Sequence, residues 1–378
     1  MLKTKYPRLN PPFWHQLPGA RFLLTLKWDT PLSLVLSLLL GVSFGLLYSA
    51  GGQKGFLLVK HAIHLGIGLT IFFILAQFSP RTLKQWAPIL YGFGVFLLLG
   101  VLLLGTSTKG AQRWLDLGGF RFQPSELMKL FSPLMLACYL DNKRAPLALQ
   151  PLLISLLIIL VPGFLIAKQP DLGTSLLVMG TGFGVLFFAG VRWKWILQIT
   201  LLTVGLLPLL WWKLHDYQRA RVLTFLNPER DPLGSGYHII QSKIAIGSGG
   251  LFGKGWCAGT QAQLNFLPER TTDFIFSVLG EEFGLLGAGL LFALYFAVLC
   301  RGILIMTKTY GFNRLMAGGI VFGFFLCFFI NIGMVSGLLP VVGCPLPLIS
   351  YGGTSLVTWM AAFGMLVAIQ SQTKNIPR

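Results

Sequence analysis

The sequence predicts an all-α polytopic membrane protein of about ten transmembrane helices, and three observations carry that expectation. Over 378 residues, 54% are hydrophobic and only 11% are charged, against about 25% charged in soluble domains. Mean hydropathy is +0.72. The apolar residues fall in repeated runs near the length a bilayer demands, since about 30 Å of hydrocarbon needs about 20 helical residues.

Taken in order, the expected spans are 32–50, 57–78, 87–105, 125–140, 149–167, 173–190, 194–212, 274–300, 315–338 and 352–370. The fourth is short and opens on Ser125, Glu126 and Lys129. It is expected to begin in a protein-lined cavity, because polar groups at membrane depth need protein partners. The segment 213–272 is too long for a simple connector. Within it, Arg219–Pro228 reads as amphipathic, and Gly236–Ile246 reads as a short helix ended by Gly247, Gly249 and Gly250.

Basic residues set the expected orientation. With ten spans both termini share one side, and that side holds sixteen of the 30 Lys and Arg against two acids, Asp29 and Asp141. Half of the basic residues on the other side lie in the long loop, which orientation largely ignores. The termini are therefore expected in the cytoplasm, giving a cytoplasmic tail over 1–30, one transmembrane domain over 31–371, and a cytoplasmic tail over 372–378. Segment 213–272 becomes a large extracytoplasmic loop between the seventh and eighth helices. The net charge of +18 reads as topology signal rather than as a nucleic-acid surface, because Lys and Arg are dispersed in short inter-helix segments. The basic, proline-interrupted first 30 residues show no h-region followed by a cleavage site, so no cleaved signal peptide is expected. The five cysteines form no C-x-x-C pair, which implies neither a disulfide framework nor a zinc site.

Ten of the 12 acids then fall outside, many within or against apolar segments, where ionisable groups are costly and point to function. Four blocks gather them. In Gly110–Lys129, Glu126 and Lys129 are three apart on one helical face, Pro124 suits a first helical turn, and Arg113 beside Trp114 suits either a phosphate or an interface anchor. In Lys168–Thr174, Asp171 suits a helix N-cap, while Lys168 is a candidate phosphate contact. In Leu267–Phe276, Asp273 opens a long apolar helix, where it could cap the helix (Thr272 being a rival) or act as a base at the lip of the membrane. Glu281 and Glu282 lie two turns deeper, and one is expected to pair with a buried cation. In Gly343–Thr354, prolines and glycines expose backbone groups that must line a cavity, and a Gly-rich turn opening a helix can receive an anion. The histidines show no metal spacing. The one S-x-x-K tetrad, Ser371–Lys374, lies in the cytoplasmic tail, which excludes penicillin-type acyl-enzyme chemistry.

Together these blocks, with Asn227–Ser242, resemble the SEDS family (shape, elongation, division and sporulation proteins) over about residues 25–370. Segment Gly333–Gly343 resembles the elongation branch more than the division branch. Thr271 departs from the pattern, standing where many relatives carry histidine. The resemblance implies the SEDS fold and a peptidoglycan glycosyltransferase of the bacterial inner membrane, which polymerises lipid II for cell-wall elongation and rod shape. It also implies a class B penicillin-binding protein (a transpeptidase) and other elongation-complex membrane proteins as partners. Asp273 is the implied catalytic acid residue, with Glu126 and Lys129 in the same cavity. An undecaprenyl diphosphate leaving group needs no protonated acid, unlike the paired carboxylates of a glycosidase. The reaction instead needs one base for the acceptor 4-hydroxyl and cations for the diphosphate. Expected substrate contacts are Arg113, Gln123, Ser125, Glu126, Lys129, Lys168, Arg219, Arg221, Ser350, Tyr351 and Gly352, and a divalent cation, Mg2+ or Mn2+, could assist. A flippase for lipid-linked precursors and a non-catalytic scaffold are the competing readings.

Overall fold

The computed structural model describes residues 27–53, 55–108, 111–116, 121–213, 219, 223–225, 227, 235–267 and 269–373. Ten long helices occupy the ten expected stretches: α1 (Thr30–Ala50), α2 (Gly55–Gln77), α3 (Pro80–Leu104), α4 (Pro124–Leu140), α5 (Leu149–Lys168), α6 (Leu172–Phe188), α7 (Trp193–Lys213), α10 (Ile275–Thr307), α11 (Gly311–Val335) and α12 (Gly353–Thr373). Two short helices, α8 (Ser235–Ser248) and α9 (Thr260–Gln263), lie between α7 and α10. Helix α8 is the one expected over Gly236–Ile246. Half of the amphipathic Arg219–Pro228 stretch lies outside the described residues, and 223–225 within it are helical.

Seven of the ten are long and apolar enough to cross a bilayer on their own. Helix α4 is not, and its surroundings explain why. Ser125, Glu126 and Lys129 are buried in its first turns, and nearly all of the helix is enclosed by protein, packed between α3, α6 and α11. A helix wrapped in protein need not be lipophilic. Helix α6, at 17 residues, is apolar but shorter.

Side-chain caps fix several helix starts. Asp29 accepts from Leu32 N at 3.4 Å to open α1, and Ser79 accepts from Thr82 N at 3.1 Å ahead of Pro80 at the start of α3. Both acids at this end of the bundle are committed to structure. Asp29 pairs with Arg301 at 3.0 Å, and Asp141 takes Lys84 at 2.5 Å and also the backbone N–H of Phe312.

The core centres on α12, whose span is 89% buried. It lies closely against α2, with Gly68 meeting Met360, Gly353 meeting His64 and Gly364 meeting the Phe72 backbone. Small residues permit this approach between membrane helices. Helix α10 is broken at Gly284, whose φ of 63° and ψ of −155° are not helical. The break is filled by the loop after α8. Lys254 N and Gly255 N each donate at 3.0 Å to the carbonyls of Glu281 and Glu282, while Leu285 N and Leu286 N donate to Gly250 O and Leu251 O. Irregular backbone inside a membrane protein is thus satisfied by protein. Gly249 and Gly253 approach α10 too closely for any β-carbon.

One feature was unexpected in the sequence. Between α3 and α4 the chain forms a small antiparallel ribbon of β1 (Thr106–Thr108), β2 (Ala111–Asp116) and β3 (Arg121–Phe122). It carries Arg113 to the mouth of the bundle.

Candidate active site

The expected residues form two neighbouring groups around the segment Val342–Cys344. The first group joins the ribbon to the start of α6. Asp171 caps α6, accepting from Thr174 N at 3.2 Å, as its position predicts. The same carboxylate also accepts from Gln123 Nε2 at 3.2 Å and faces Arg113 Nε at 3.8 Å. Arg113 further donates to Pro170 O, and Gln123 Nε2 lies 3.0 Å from Ser125 Oγ. Asp171, 2% exposed, therefore does more than cap a helix. It holds Arg113 and Gln123 in place.

One turn further along α4, Lys129 donates to Glu126 at 2.6 Å, with both side chains buried. A buried ion pair repays desolvation only while both partners remain. Lys129→Met should therefore lower stability by about 3–5 kcal/mol, and adding Glu126→Gln should recover part of that loss. Thermal melting of the purified single and double variants checks this coupling.

The second group surrounds Asp273. The expected N-cap role does not hold: the α10 N-cap is Phe274, with no side-chain cap bond, and Thr272 Oγ1 donates to Glu269 instead. The carboxylate lies beside Gly343, 3.6 Å from where a β-carbon would stand. Gly343 itself has φ of 72°, a conformation that favours glycine.

The Asp273 loop is tied to its neighbours at three backbone points. Asn331 on α11, fully buried, donates through Nδ2 to Asp273 O at 2.9 Å and to Cys344 O at 2.7 Å. Ser350 Oγ donates to Thr272 O at 2.5 Å while accepting from Leu346 N at 2.8 Å. Tyr351 N donates to Thr271 O at 2.8 Å. The 345–352 loop is anchored in turn by Ser43 Oγ, which donates to Ile349 O at 2.8 Å and lies 3.2 Å from His61 Nε2.

Val342–Cys344 links the groups. Val342 packs against Gly173 at the start of α6, Gly343 faces Asp273, and Cys344 is held by Asn331. This hub thus touches the start of α6, where Asp171 holds Arg113 and Gln123, and the Asp273 carboxylate; Ser125 and the Glu126–Lys129 pair lie on α4 next to Gln123.

Other candidates are placed elsewhere. Lys168 is exposed and sits over the Phe164 ring, 4.8 Å from its centroid, so it is not brought to the hub. Arg219 donates to the Trp211 and Trp212 carbonyls that end α7. Arg221 lies outside the described residues. Ser350 is taken up by its two loop bonds. The Tyr351 ring turns towards His61 and His64 on α2, and the Gly352 carbonyl accepts from Leu356 N in the first turn of α12. Glu281 pairs with Lys254 at 2.8 Å, which matches its expected structural role, and Glu282 accepts from Ser49 Oγ. Sequence reasoning missed Asn331, although a polar residue within an apolar run was a signal. It also missed the guanidinium of Arg270, which staples Ala50 O to Ala262 O.

Comparison with known proteins agrees with this arrangement. The chain is 49% identical over 352 residues to the peptidoglycan glycosyltransferase MrdB of Escherichia coli K12, covering 93% of this chain and 95% of that protein. Identity to the probable peptidoglycan glycosyltransferase FtsW of Geobacter metallireducens is 37%, covering 85% of this chain and 87% of that protein. That order fits the elongation branch. The fold superposes on the rod shape determining protein RodA of Thermus thermophilus with a TM-score of 0.71, 30% identity, and coverage of 92% and 98% of the two chains. It also superposes on a chain from a peptidoglycan synthase complex that coordinates polymerisation and crosslinking, with a TM-score of 0.80, 36% identity, and coverage of 92% and 99%. The model of the cell cycle protein family that groups FtsW, RodA and SpoVE matches residues 24–375, and the chain belongs to that family.

Proposed function

We propose that this multi-pass membrane protein is a peptidoglycan glycosyltransferase that polymerises lipid II for cell-wall elongation, with Asp273 as the general base. The observation that carries the assignment of the base is a carboxylate that caps no helix, on a loop held at three backbone points beside the hub. The acceptor 4-hydroxyl oxygen attacks the anomeric carbon of the donor sugar. Its proton passes to the Asp273 carboxylate, the bond from the anomeric carbon to the diphosphate breaks, and undecaprenyl diphosphate leaves with the electron pair. One base serves this reaction, because the diphosphate departs without a proton.

Arg113 and Lys129 are the candidate cations for the diphosphate, and each has an acid already beside it. Asp171 and Glu126 hold them in fixed positions until the diphosphate competes for them, which is preorganised charge stabilisation. Among the described residues no three metal-ligating side chains gather. A Mg2+ or Mn2+ ion would therefore be held chiefly by the diphosphate, as Mg2+ commonly is, and no step here depends on one. The charge pattern supports placing this end of the bundle outside the cytoplasm, with both termini inside. By analogy with the synthase complex, the partner is a class B penicillin-binding protein that crosslinks the product, with other elongation-complex membrane proteins nearby.

The test is to supply purified protein with lipid II in detergent. Glycan strands are expected. Vesicle translocation of lipid II without polymer would instead make the protein a transporter.

A further inference from the structure

A second cavity lies behind the Asp273 loop. It encloses about 510 Å3 between the α1–α2 turn and segment 265–271, and its walls include Gly51, Phe56, Asn265, Glu269, Arg270 and Thr271. That volume is within the usual range of ligand sites, about 300–1,000 Å3. The Asp273 carboxylate faces Gly343, whereas Thr271 faces this cleft. Two residues of chain span at most about 7 Å, so the cleft begins close to the reacting carboxylate on the other side of its loop.

The lining suits one ligand class. Phe56 is 71% exposed; Lys60 Nζ sits over one side of its ring, 4.4 Å from the centroid, and the other side can take the C–H face of a sugar ring. The Asn265 amide, the Glu269 carboxylate and the Arg270 guanidinium supply donors and acceptors for hydroxyl and acetamide groups. A lipid tail would meet these polar groups on one wall, and a diphosphate would meet the Glu269 carboxylate beside Arg270, whose guanidinium is already bonded to the Ala50 and Ala262 carbonyls. An uncharged, polyhydroxylated sugar conflicts with neither. The wall is also firmly held: Arg270 Nε donates to Ala50 O at 2.6 Å, and Thr272 Oγ1 donates to Glu269 Oε2 at 3.1 Å.

We propose that this cleft binds sugar residues of the glycan strand at least one unit removed from the bond being formed, and that its grip sets how far a strand grows before release. The inference rests on the polymerase reading above.

The test combines Phe56→Ala with Asn265→Gly in the full-length protein. The glycine keeps the positive φ of 61° found at Asn265 while removing the amide. Strand length and lipid II consumption are followed together. A lipid-free peptidoglycan tetrasaccharide is titrated separately against each protein. Strands several-fold shorter, with lipid II still consumed into short oligomers, are expected, along with about tenfold weaker tetrasaccharide binding. Phe56→Trp should keep both strand length and binding. Unchanged strand length overturns the proposal whatever the titration shows, and so does a proportionate fall in consumption and length. If the wild-type protein makes no polymer, the polymerase reading fails, and the titration still reports whether the cleft takes sugars.

Discussion

Asp273→Asn should leave the protein folded, membrane-inserted and able to associate with its partner, yet yield almost no polymer from lipid II. The substitution keeps the side-chain shape and removes only the charge and the basicity. The backbone bonds that tie this loop down use neither. The α10 N-cap is Phe274 without a side-chain bond, and the bonds from Asn331, Ser350 and Tyr351 all reach backbone carbonyls of residues 271–273. The stability change should therefore stay within about 1 kcal/mol. General-base catalysis is worth about 10²–10⁴-fold, so the rate should fall by roughly that factor. Gel analysis of labelled lipid II, beside a melting curve and co-purification of the transpeptidase, separates these outcomes. Substantial glycan synthesis by the variant would sink the assignment of the base. An unchanged phenotype in cells would favour a scaffold.

How much of this was legible in the sequence depends on the range of the contacts. Local signals were sufficient for the helices, for the Asp171 cap and for the Glu126–Lys129 pair, because each lies within one turn of what it touches. The enclosed first turns of α4 were also readable, since a Glu and a Lys in an apolar run demand partners. The ribbon at 106–122 was not. Its strands are two to six residues long and lack the alternation that marks a longer strand. Pairing between distant blocks was equally hidden. Arg113 and Asp171 are far apart in sequence, so the first read as an interface anchor or phosphate contact and the second as only a cap. The break in α10 depends on a loop some thirty residues upstream, and no periodicity describes it. The cap alternative for Asp273 fails for a local reason, because the helix begins at Ile275, one residue later than expected, and Phe274 takes the N-cap place.

The second large effect is expected at Asn331. Its single amide nitrogen holds two carbonyls, one belonging to Asp273 and one to Cys344, at 2.9 and 2.7 Å. It therefore fixes the proposed base against the hub at the point where Gly343 faces the carboxylate. Asn331→Leu fills similar space but donates to neither, leaving two buried carbonyls unsatisfied at about 1–3 kcal/mol each. The melting temperature should fall, but a stability loss alone would lower the amount of active enzyme without changing its turnover. Release of the Asp273 loop should act on turnover itself, since a misplacement of about 1 Å in a reacting group can cost 10²-fold. The expected result, per folded molecule counted after size exclusion, is a kcat reduced by about that factor with the KM for lipid II little changed. Asn331→Asp is a sharper comparison. It keeps the shape but turns the donor into an acceptor facing two carbonyl oxygens, so its kcat should fall at least as far. If both variants retain normal kcat per folded molecule, Asn331 only holds α11 to its neighbours, and the position of Asp273 is set by Ser350 and Tyr351 alone.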